Sequence, residues 1–508
     1  MTENPILDGP VCVPEKKHEY TLTESLTAIA CIVLGYFYLR CVAVNGGHGI
    51  GGGIFFTLFS LTGFFALKKS GRKISRFGIF LFVMSLVFAA ELFITANEYA
   101  RFASGFSSLV SSALFFYCTS FGIEKVGHLF GADLTSAAVK RPFEKYFSVF
   151  PASVSAVKGK NSEKRTKSIG YIITGLIFAI PAFLVILFLL MSADERMEKT
   201  MDSIFSSLIV PDEFISRLIT FGFSLFIACG LFSMIFSAII CNKTADEHEL
   251  EKQASADAYA KIHGLILYTA VVPICLIYII FFALQADYFM NAFIGYLPDG
   301  ISYSEYARRG FFELCMTAVI NAGIIIIING LCLKTEDGKK PKVLKFFTVF
   351  LSVSTVLLVA TALSKMVLYI SKFGWTQKRI YASILMIALA LVFIGVIIKQ
   401  FVPDFDLSLT AFVITAVMMS VFSFANVDSF IVRENYRLYN NGAITDFDRF
   451  DLNDLSCDAV PALSRIYADD NNLEAGKAIF DILSSRNHYS LNDSLMTVIA
   501  ENCAFPKD

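Results

Sequence analysis

The stretch KKSGRKISRFGIFLFVMSLVFAAELFITAN (68–97) decides the fold, because it sets a basic segment directly before a long apolar run. Its first nine residues carry five positive charges and no acidic side chain, whereas the run that follows contains a single charge, Glu91. About 20 mostly apolar residues in helical form cross the hydrocarbon core of a bilayer. The stretch therefore predicts a membrane-spanning helix at 77–97 that follows a basic loop.

The chain as a whole has the same character. It has 508 residues, of which 55% are hydrophobic and 17% charged, and its mean hydropathy is +0.61. Soluble domains carry about 25% charged residues, so lipid must solvate much of this chain. Eleven apolar segments are long enough to span, at roughly 24–44, 50–67, 77–97, 106–123, 169–191, 215–241, 263–285, 311–333, 345–370, 380–400 and 405–425. We predict an all-α polytopic transmembrane helix bundle of about eleven spans, with the lipid bilayer as its principal partner.

The charge balance bears on partners and on orientation. A net charge of −1 disfavours nucleic acid as a partner, because nucleic acid requires a concentrated basic surface. Short loops rich in Lys and Arg lie on the cytoplasmic side of membranes. One topology satisfies this rule for the loop 68–76 and for the segments 124–168 and 334–345. That topology places the N-terminus in the cytoplasm. One connection disagrees with the rule, since its positive charges fall on the outer side: Lys365, Lys372, Lys378 and Arg379.

An odd number of spans leaves the C-terminal tail outside the cytoplasm. The tail contains helical patches and polar turns but no further apolar span. The expected organisation is a polar N-terminal segment at 1–23, the transmembrane bundle at 24–425 and a small C-terminal helical domain at 426–508.

Seven charged residues in or near the predicted spans lie toward the outer leaflet in this topology. Charged side chains within spans are costly and usually face a bundle interior or a wet cavity, often as pairs. We therefore predict an outward-facing polar vestibule that binds a ligand, lined by Arg40, Glu91, Asp287, Arg308, Arg309, Glu313 and Lys365. The alternative is that these are separate rim residues whose side chains reach the headgroups. Glu91 fits that alternative least, because a short carboxylate does not reach far.

No motif in the sequence specifies a reaction, a metal or a cofactor. The glycine-rich stretch NGGHGIGGG (45–53) lacks the Lys-Ser/Thr ending of a phosphate loop, and there is no H-E-x-x-H or G-x-S-x-G motif. His248 in DEHELEK has no second histidine at the spacing of the H-E-x-x-H motif. We expect no cofactor and no metal, and this inventory argues weakly against an enzyme.

Three segments together carry a family resemblance: SYSEYARRGFFEL (302–314), LSKMVLYISKFGWTQKRIYA (363–382), and NVDSFIVRENYRLY followed by LSCDAVPAL (426–439 and 455–463). In this order they resemble a bacterial family of multi-pass membrane proteins, domain of unknown function four-one-seven-three, with four-one-five-three as a near relative. The resemblance covers roughly 270–465. It implies a bacterial plasma-membrane protein and supplies no activity.

The resemblance also directs attention to the tail, because its three segments all map to the outer side of the predicted topology. We therefore predict that the tail docks onto the outer layer of the bundle through ion pairs. The predicted docking residues are Asn426, Asp428, Arg433, Asn435 and Arg437. This docking offers partners for the positive charges that break the orientation rule.

Three classes of function stay open on this reasoning. The first is a transporter or lipid-handling permease whose outer vestibule binds a small anionic solute or a lipid. The second is a non-catalytic envelope sensor or scaffold whose C-terminal domain binds a partner protein. The third is a membrane enzyme that acts on envelope lipid or glycan.

Overall fold

The computed structural model describes residues 18–43, 49–127, 130–157, 199, 212–259, 262–294, 311–332, 341–402, 404–444, 452–470, 472–484 and 500. Within these ranges the chain is helical, apart from turns and an isolated bridge between Ile262 and Cys332. Ten of the described helices are long and apolar enough to cross a membrane, and each coincides with a predicted segment. The all-α polytopic bundle is thereby confirmed, while the predicted span 169–191 lies outside the described residues.

The helices fall into a first half, a second half and a tail. The first half contains α1 (Leu22–Phe37), α2 (Ile50–Lys69), α3 (Arg76–Ile94), α4 (Glu98–Phe121), α5 (Phe130–Thr135), α6 (Arg141–Glu144), α7 (Val149–Val157) and α8 (Asp212–Ile240). The second half contains α9 (Ala245–Tyr259), α10 (Gly264–Ile294), α11 (Phe311–Leu331), α12 (Lys342–Phe373), α13 (Gln377–Phe401) and α14 (Leu407–Phe424). The tail contains α15 (Val427–Asn440), α16 (Val460–Asp470) and α17 (Leu473–Ser484). Short π-helical segments follow α1 at Tyr38–Ala43 and α5 at Ser136–Lys140.

The connections between spans gather at two ends of the bundle. At one end the basic loop after α2 is held to α8, because Arg72 Nε donates to the carbonyl of Ile239 (3.1 Å). The hydroxyl of Ser75 donates there to the carbonyl of Ile123, beyond α4 (2.8 Å). We call this the basic end. The opposite end, where the tail packs, is the tail end.

Polar residues cap several helices at the point where a loop ends and an apolar segment begins. Thr21 and Glu24 form a reciprocal capping box at α1. The side chains of Ser75, Asn97 and Asp406 each accept a backbone N–H three residues further on, at 3.0 to 3.1 Å. Each such cap contributes about 1 kcal/mol to the stability of its helix. The residue types that form caps therefore mark these helix boundaries in the sequence.

The spans of the first half share a core rich in aromatic side chains. Phe59, Phe115, Phe116 and Phe232 are buried at its centre. Gly35 allows α1 to lie close against α8, because a Cβ at this position would stand 2.5 Å from the carbonyl oxygen of Ser224. A glycine is therefore required where these two helices cross.

The spans of the second half combine an apolar core with satisfied polar groups. The hydroxyl of Tyr278 donates to Asn321 Oδ1 (2.7 Å), and Asn321 Nδ2 donates to Thr355 Oγ1 (2.8 Å). This chain of hydrogen bonds ties α10, α11 and α12 together. The two halves meet along α14, where the ring of Phe412 packs edge-on against Phe77 and Phe130.

The tail has an apolar core of its own. Val432, Ala459 and Leu463 are fully buried in it, and Trp375 and Tyr381 from the bundle pack against this core. The span α14 ends at Phe424 and the first tail helix begins at Val427. The division of the chain into 1–23, 24–425 and 426–508 stays a prediction.

Candidate functional site

The tail meets the bundle through a buried carboxylate, Asp428 on α15. Its oxygens accept hydrogen bonds from Asn97 Nδ2 (3.1 Å) and Gln377 Nε2 (2.6 Å). They also accept from the backbone N–H (3.0 Å) and the hydroxyl (2.5 Å) of Ser456. Asn97 caps α4 and Gln377 begins α13, so one side chain joins the tail to two separate connections of the bundle.

A second buried carboxylate, Asp458, binds the connection between α3 and α4. It accepts hydrogen bonds from the hydroxyl of Thr95 (2.5 Å) and from the backbone N–H groups of Ala96 (2.7 Å) and Asn97 (3.3 Å). Burial raises the pKa of Asp458, and these hydrogen bonds offset that effect only in part. The neighbouring carboxylate of Asp428 acts in the same direction as burial.

Two of the five predicted docking residues contact the bundle, and the other three contact their own helix. Asp428 contacts the bundle as described, and Asn435 exchanges hydrogen bonds with the backbone of Trp375. Asn426 instead caps α15, and Arg433 and Arg437 contact other residues of α15. Asp428 and Asn435 thus bind the bundle through hydrogen bonds to neutral groups. The ion pairs between the tail and the positive charges of the bundle stay a prediction.

The structure describes the surroundings of three residues that were predicted to line a vestibule. Glu91 is buried on α3, one turn before Thr95, and its Oε2 has no hydrogen-bond partner in the part of the chain that the structure describes. Glu313 is exposed near the start of α11 and interacts electrostatically with Lys365, which is half-buried on α12. The structure thus brings Glu313 and Lys365 together and places Glu91 beside the tail junction.

Of the other four predicted vestibule residues, the structure describes the side chain of one. Arg40 is exposed in the π-helical segment after α1. Asp287 belongs to α10, but its side chain lies outside the description, as do Arg308 and Arg309 altogether. The outward-facing vestibule stays a prediction.

A cavity of about 1320 Å³ lies between the two halves of the bundle. Helices α3, α4 and α5 line one side of it, and α11, α13 and α14 line the other. Most of the lining is apolar, as at Leu81, Leu114, Phe393 and Met419. Such a surface favours a ligand with hydrocarbon chains over a small hydrated ion.

The cavity lining becomes polar toward the basic end. Gln253, Asn329, Gln400 and Ser408 lie there together with Lys399, whose ammonium is the one charge among the described lining residues. Lys399 Nζ donates to the carbonyl of Phe405 (2.7 Å), which holds the end of α13 against the start of α14. The cavity is therefore amphipathic along its length.

A network of titratable side chains lies at the basic end, around Asp133 on α5. Its Oδ2 accepts a hydrogen bond from Lys252 Nζ (2.7 Å), and its Oδ1 accepts from the hydroxyl of Tyr117 and lies close to His248 Nε2, both at 3.1 Å. Burial alone would raise the pKa of Asp133, but the hydrogen bonds from His248, Lys252 and Tyr117 outweigh it and hold the pKa below its usual range. The network ties α9 to α4 and α5.

Sequence reasoning did not find this network. His248 was considered there only as a metal ligand and rejected, whereas its imidazole stacks on Phe121 (3.9 Å between ring centroids) and lies 2.8 Å from the hydroxyl of Tyr117. One signal was available, because His248 and Lys252 are four residues apart and share one face of α9. Asp458 was also missed, although it lies within the segment LSCDAVPAL that carries the family resemblance.

Apolar spans, satisfied polar groups between helices and an amphipathic cavity define a multi-pass integral membrane protein. The chain belongs to the family described as Domain of unknown function (DUF4153), whose model matches residues 55–466. This is the family that the sequence motifs indicated as the near relative. The match begins in α2, so it covers most of the first half of the bundle as well as the stretch 270–465. No match is found among curated proteins or among solved structures.

Proposed function

We propose that the protein is a lipid-handling permease that takes a membrane lipid into the cavity between its two halves. The supporting observation is the cavity itself, whose volume of about 1320 Å³ exceeds the roughly 300–1,000 Å³ of ordinary small-molecule pockets. An apolar lining lets the acyl chains of a membrane lipid pass from the bilayer into the cavity without exposure to water. Of the two ligand classes that the sequence left open, the lining favours the lipid over the small anionic solute.

The polar end of the cavity gives the proposed lipid a direction. A headgroup suits the surface formed by Gln253, Lys399 and Gln400, and acyl chains suit the apolar lining toward the tail end. In the predicted topology the basic end faces the cytoplasm, so the lipid enters from the inner leaflet. The ammonium of Lys399 favours a headgroup with negative charge. This proposal moves the binding site from an outer vestibule to a cavity among the spans.

A cavity-filling substitution tests the proposal. Ala411 and Val413 lie on α14, but Ala411 lines the cavity whereas Val413 is exposed on another face of the same helix. The protein, purified in detergent and washed, is analysed by native mass spectrometry for retained lipid. We expect wild type and V413W to retain lipid and A411W to lose most of it. Equal lipid retention by folded A411W and V413W contradicts the proposal.

The charge at the polar end has its own test. K399R keeps the positive charge and K399Q removes it, so the pair separates charge from side-chain bulk. In nanodiscs that mix phosphatidylcholine with phosphatidylglycerol, we expect wild type and K399R to enrich phosphatidylglycerol and K399Q to lose this enrichment. An unchanged lipid ratio in K399Q would show that Lys399 does not bind the headgroup. The outcome of the cavity-filling test does not depend on this result.

A further inference from the structure

A second, smaller cavity of about 280 Å³ lies at the basic end. It is separate from the lipid-sized cavity, because the segment 130–144 presents different residues to the two spaces. The large cavity receives Gly131, Leu134, Thr135 and Ala138, whereas the small cavity receives Ser136, Lys140, Arg141 and Glu144. The rest of its lining comes from the ends of α4 and α8, the connection 241–243 and α9.

The charges around the small cavity leave a positive surplus. Lys243 pairs with Glu251 at 2.7 Å, and Arg141 lies 3.5 Å from Glu144. Lys140 adds a third cation to this lining, so the described charges sum to a positive value even with His248 neutral. A small space with a positive surplus favours an anion.

Arg141 lines this space and is held in place by its neighbours. Its Nη1 donates to the carbonyl of Ser237 (3.0 Å), and its Nη2 donates to the hydroxyl of Ser120 (3.3 Å). The guanidinium also lies over the ring of Phe121, 5.0 Å from the ring centroid. A guanidinium fixed in this manner binds an oxyanion with little further loss of side-chain freedom.

Ser237 supplies an independent indication of a ligand. The residue is 1% exposed and lines the small cavity, yet its hydroxyl has no hydrogen-bond partner among the described residues. Buried hydroxyl groups in native proteins nearly always have a partner. An oxygen of an anion in the cavity would supply the acceptor that this hydroxyl lacks.

We propose that the small cavity is a binding site for a phosphate group, with Arg141, Lys140 and the hydroxyl of Ser237 as its donors. The volume accommodates a phosphate with a small substituent, and it lies at the lower limit of ordinary ligand pockets. The site is separate from the lipid cavity, so it stands or falls independently of the proposed lipid-handling function. The phosphate belongs either to a soluble compound or to the headgroup of a lipid at the membrane surface.

The test measures thermal unfolding of the full chain in detergent against inorganic phosphate, with sodium chloride at matched ionic strength as the reference. S237A is the main variant, because it removes a hydroxyl without removing a described hydrogen bond. S224A is the control for loss of a buried hydroxyl from the same helix, because Ser224 does not line the cavity and its hydroxyl donates within the helix, to the carbonyl of Phe221 (2.7 Å). K140Q provides a second variant on an exposed side chain that leaves the core intact.

We expect phosphate to stabilise wild type and S224A saturably, and S237A and K140Q to require about tenfold more phosphate. A parallel series replaces inorganic phosphate with phosphatidic acid mixed into the micelles. Saturable stabilisation only in that series, again weakened in S237A and K140Q, assigns the phosphate to a lipid. The proposal is overturned if neither series stabilises wild type, or if S237A and K140Q respond as wild type does.

Discussion

The side chain of Asn435 and the backbone of Trp375 exchange two hydrogen bonds. The N–H of Trp375 donates to Asn435 Oδ1 (2.7 Å), and Asn435 Nδ2 donates to the carbonyl of Trp375 (2.9 Å). Asn435 is fully buried, and an amide offers both the donor and the acceptor that one residue's backbone requires. This exchange fixes α15 to the connection between α12 and α13.

The first prediction concerns this pair. N435D keeps the shape of the side chain but removes its donor and introduces a buried charge, so we expect it to weaken tail docking by about 2–3 kcal/mol. The measurement is the rate at which a protease releases the tail from the protein in detergent. N441D serves as the control, because Asn441 follows the same helix but is exposed. Equal release from N435D and N441D is the contradicting result.

The contact between segments 363–382 and 426–439 was predictable from the sequence, but the atoms that make it were not. The predicted topology placed both segments at the same end of the bundle. The rotation of α15 decides which polar residues turn inward, and its apolar face of Val427, Ile431 and Val432 places Asp428 and Asn435 on the buried side. Helical periodicity was the available signal for the burial of these two residues.

The spans were predictable because length and composition are sufficient to identify them. The large cavity was not, because it depends on how closely two groups of helices pack. Lys399 illustrates this difference. It ends a predicted span as an ordinary interfacial lysine, and its position at the polar end of a cavity follows only from the packing of α13 against α14.

The second prediction concerns Asp133 and Lys252. Removing one partner of a buried ion pair leaves the other charge uncompensated, so we expect D133N to lower the free energy of unfolding by about 3 kcal/mol. E474Q is the control, since it breaks the exposed pair Glu474–Lys477 and has little effect. Chemical or thermal denaturation in detergent measures both. Similar losses in D133N and E474Q contradict a structural role for the network.

The same network has a pH dependence with a defined sign. The pKa of Asp133 is lower in the folded protein than its ordinary value of 3.8. Its contribution to stability is therefore fully present above about pH 4 and is lost as the pH falls through the folded pKa. We expect the stability advantage of wild type over D133N to shrink in that acidic range. The prediction is contradicted if the stability difference between wild type and D133N stays constant down to the pH at which wild type unfolds.

The third prediction uses two glycines in different surroundings. In G35A the new Cβ would stand 2.5 Å from the carbonyl oxygen of Ser224, so α1 and α8 must separate. Overpacking of this kind costs about 1–3 kcal/mol. An added Cβ at Gly323 on α11 would meet no heavy atom within 4 Å among the described residues beyond its own stretch of helix, so G323A is neutral or stabilises by about 0.5–1 kcal/mol. Thermal unfolding of both variants checks the opposite signs, and a loss of stability in G323A equal to that in G35A rejects the packing argument.

The fourth prediction concerns orientation. Ser70 is exposed in the loop at the basic end, and Asn441 is exposed in the tail, so cysteines at these positions report opposite sides of the membrane. The excess of Lys and Arg at the basic end predicts that this end faces the cytoplasm. A membrane-impermeant maleimide applied to intact cells is therefore expected to label N441C, and to label S70C only after permeabilisation.

The parent protein is the control for this labelling, because its described cysteines are buried or half-buried and set the background. Labelling of S70C but not N441C in intact cells reverses the orientation. That outcome would place Lys399 and the polar end of the large cavity at the outer leaflet, so the lipid would enter from outside. The cavity-filling test with A411W holds for either orientation, because it depends on the volume between the two halves and not on the side from which the lipid enters.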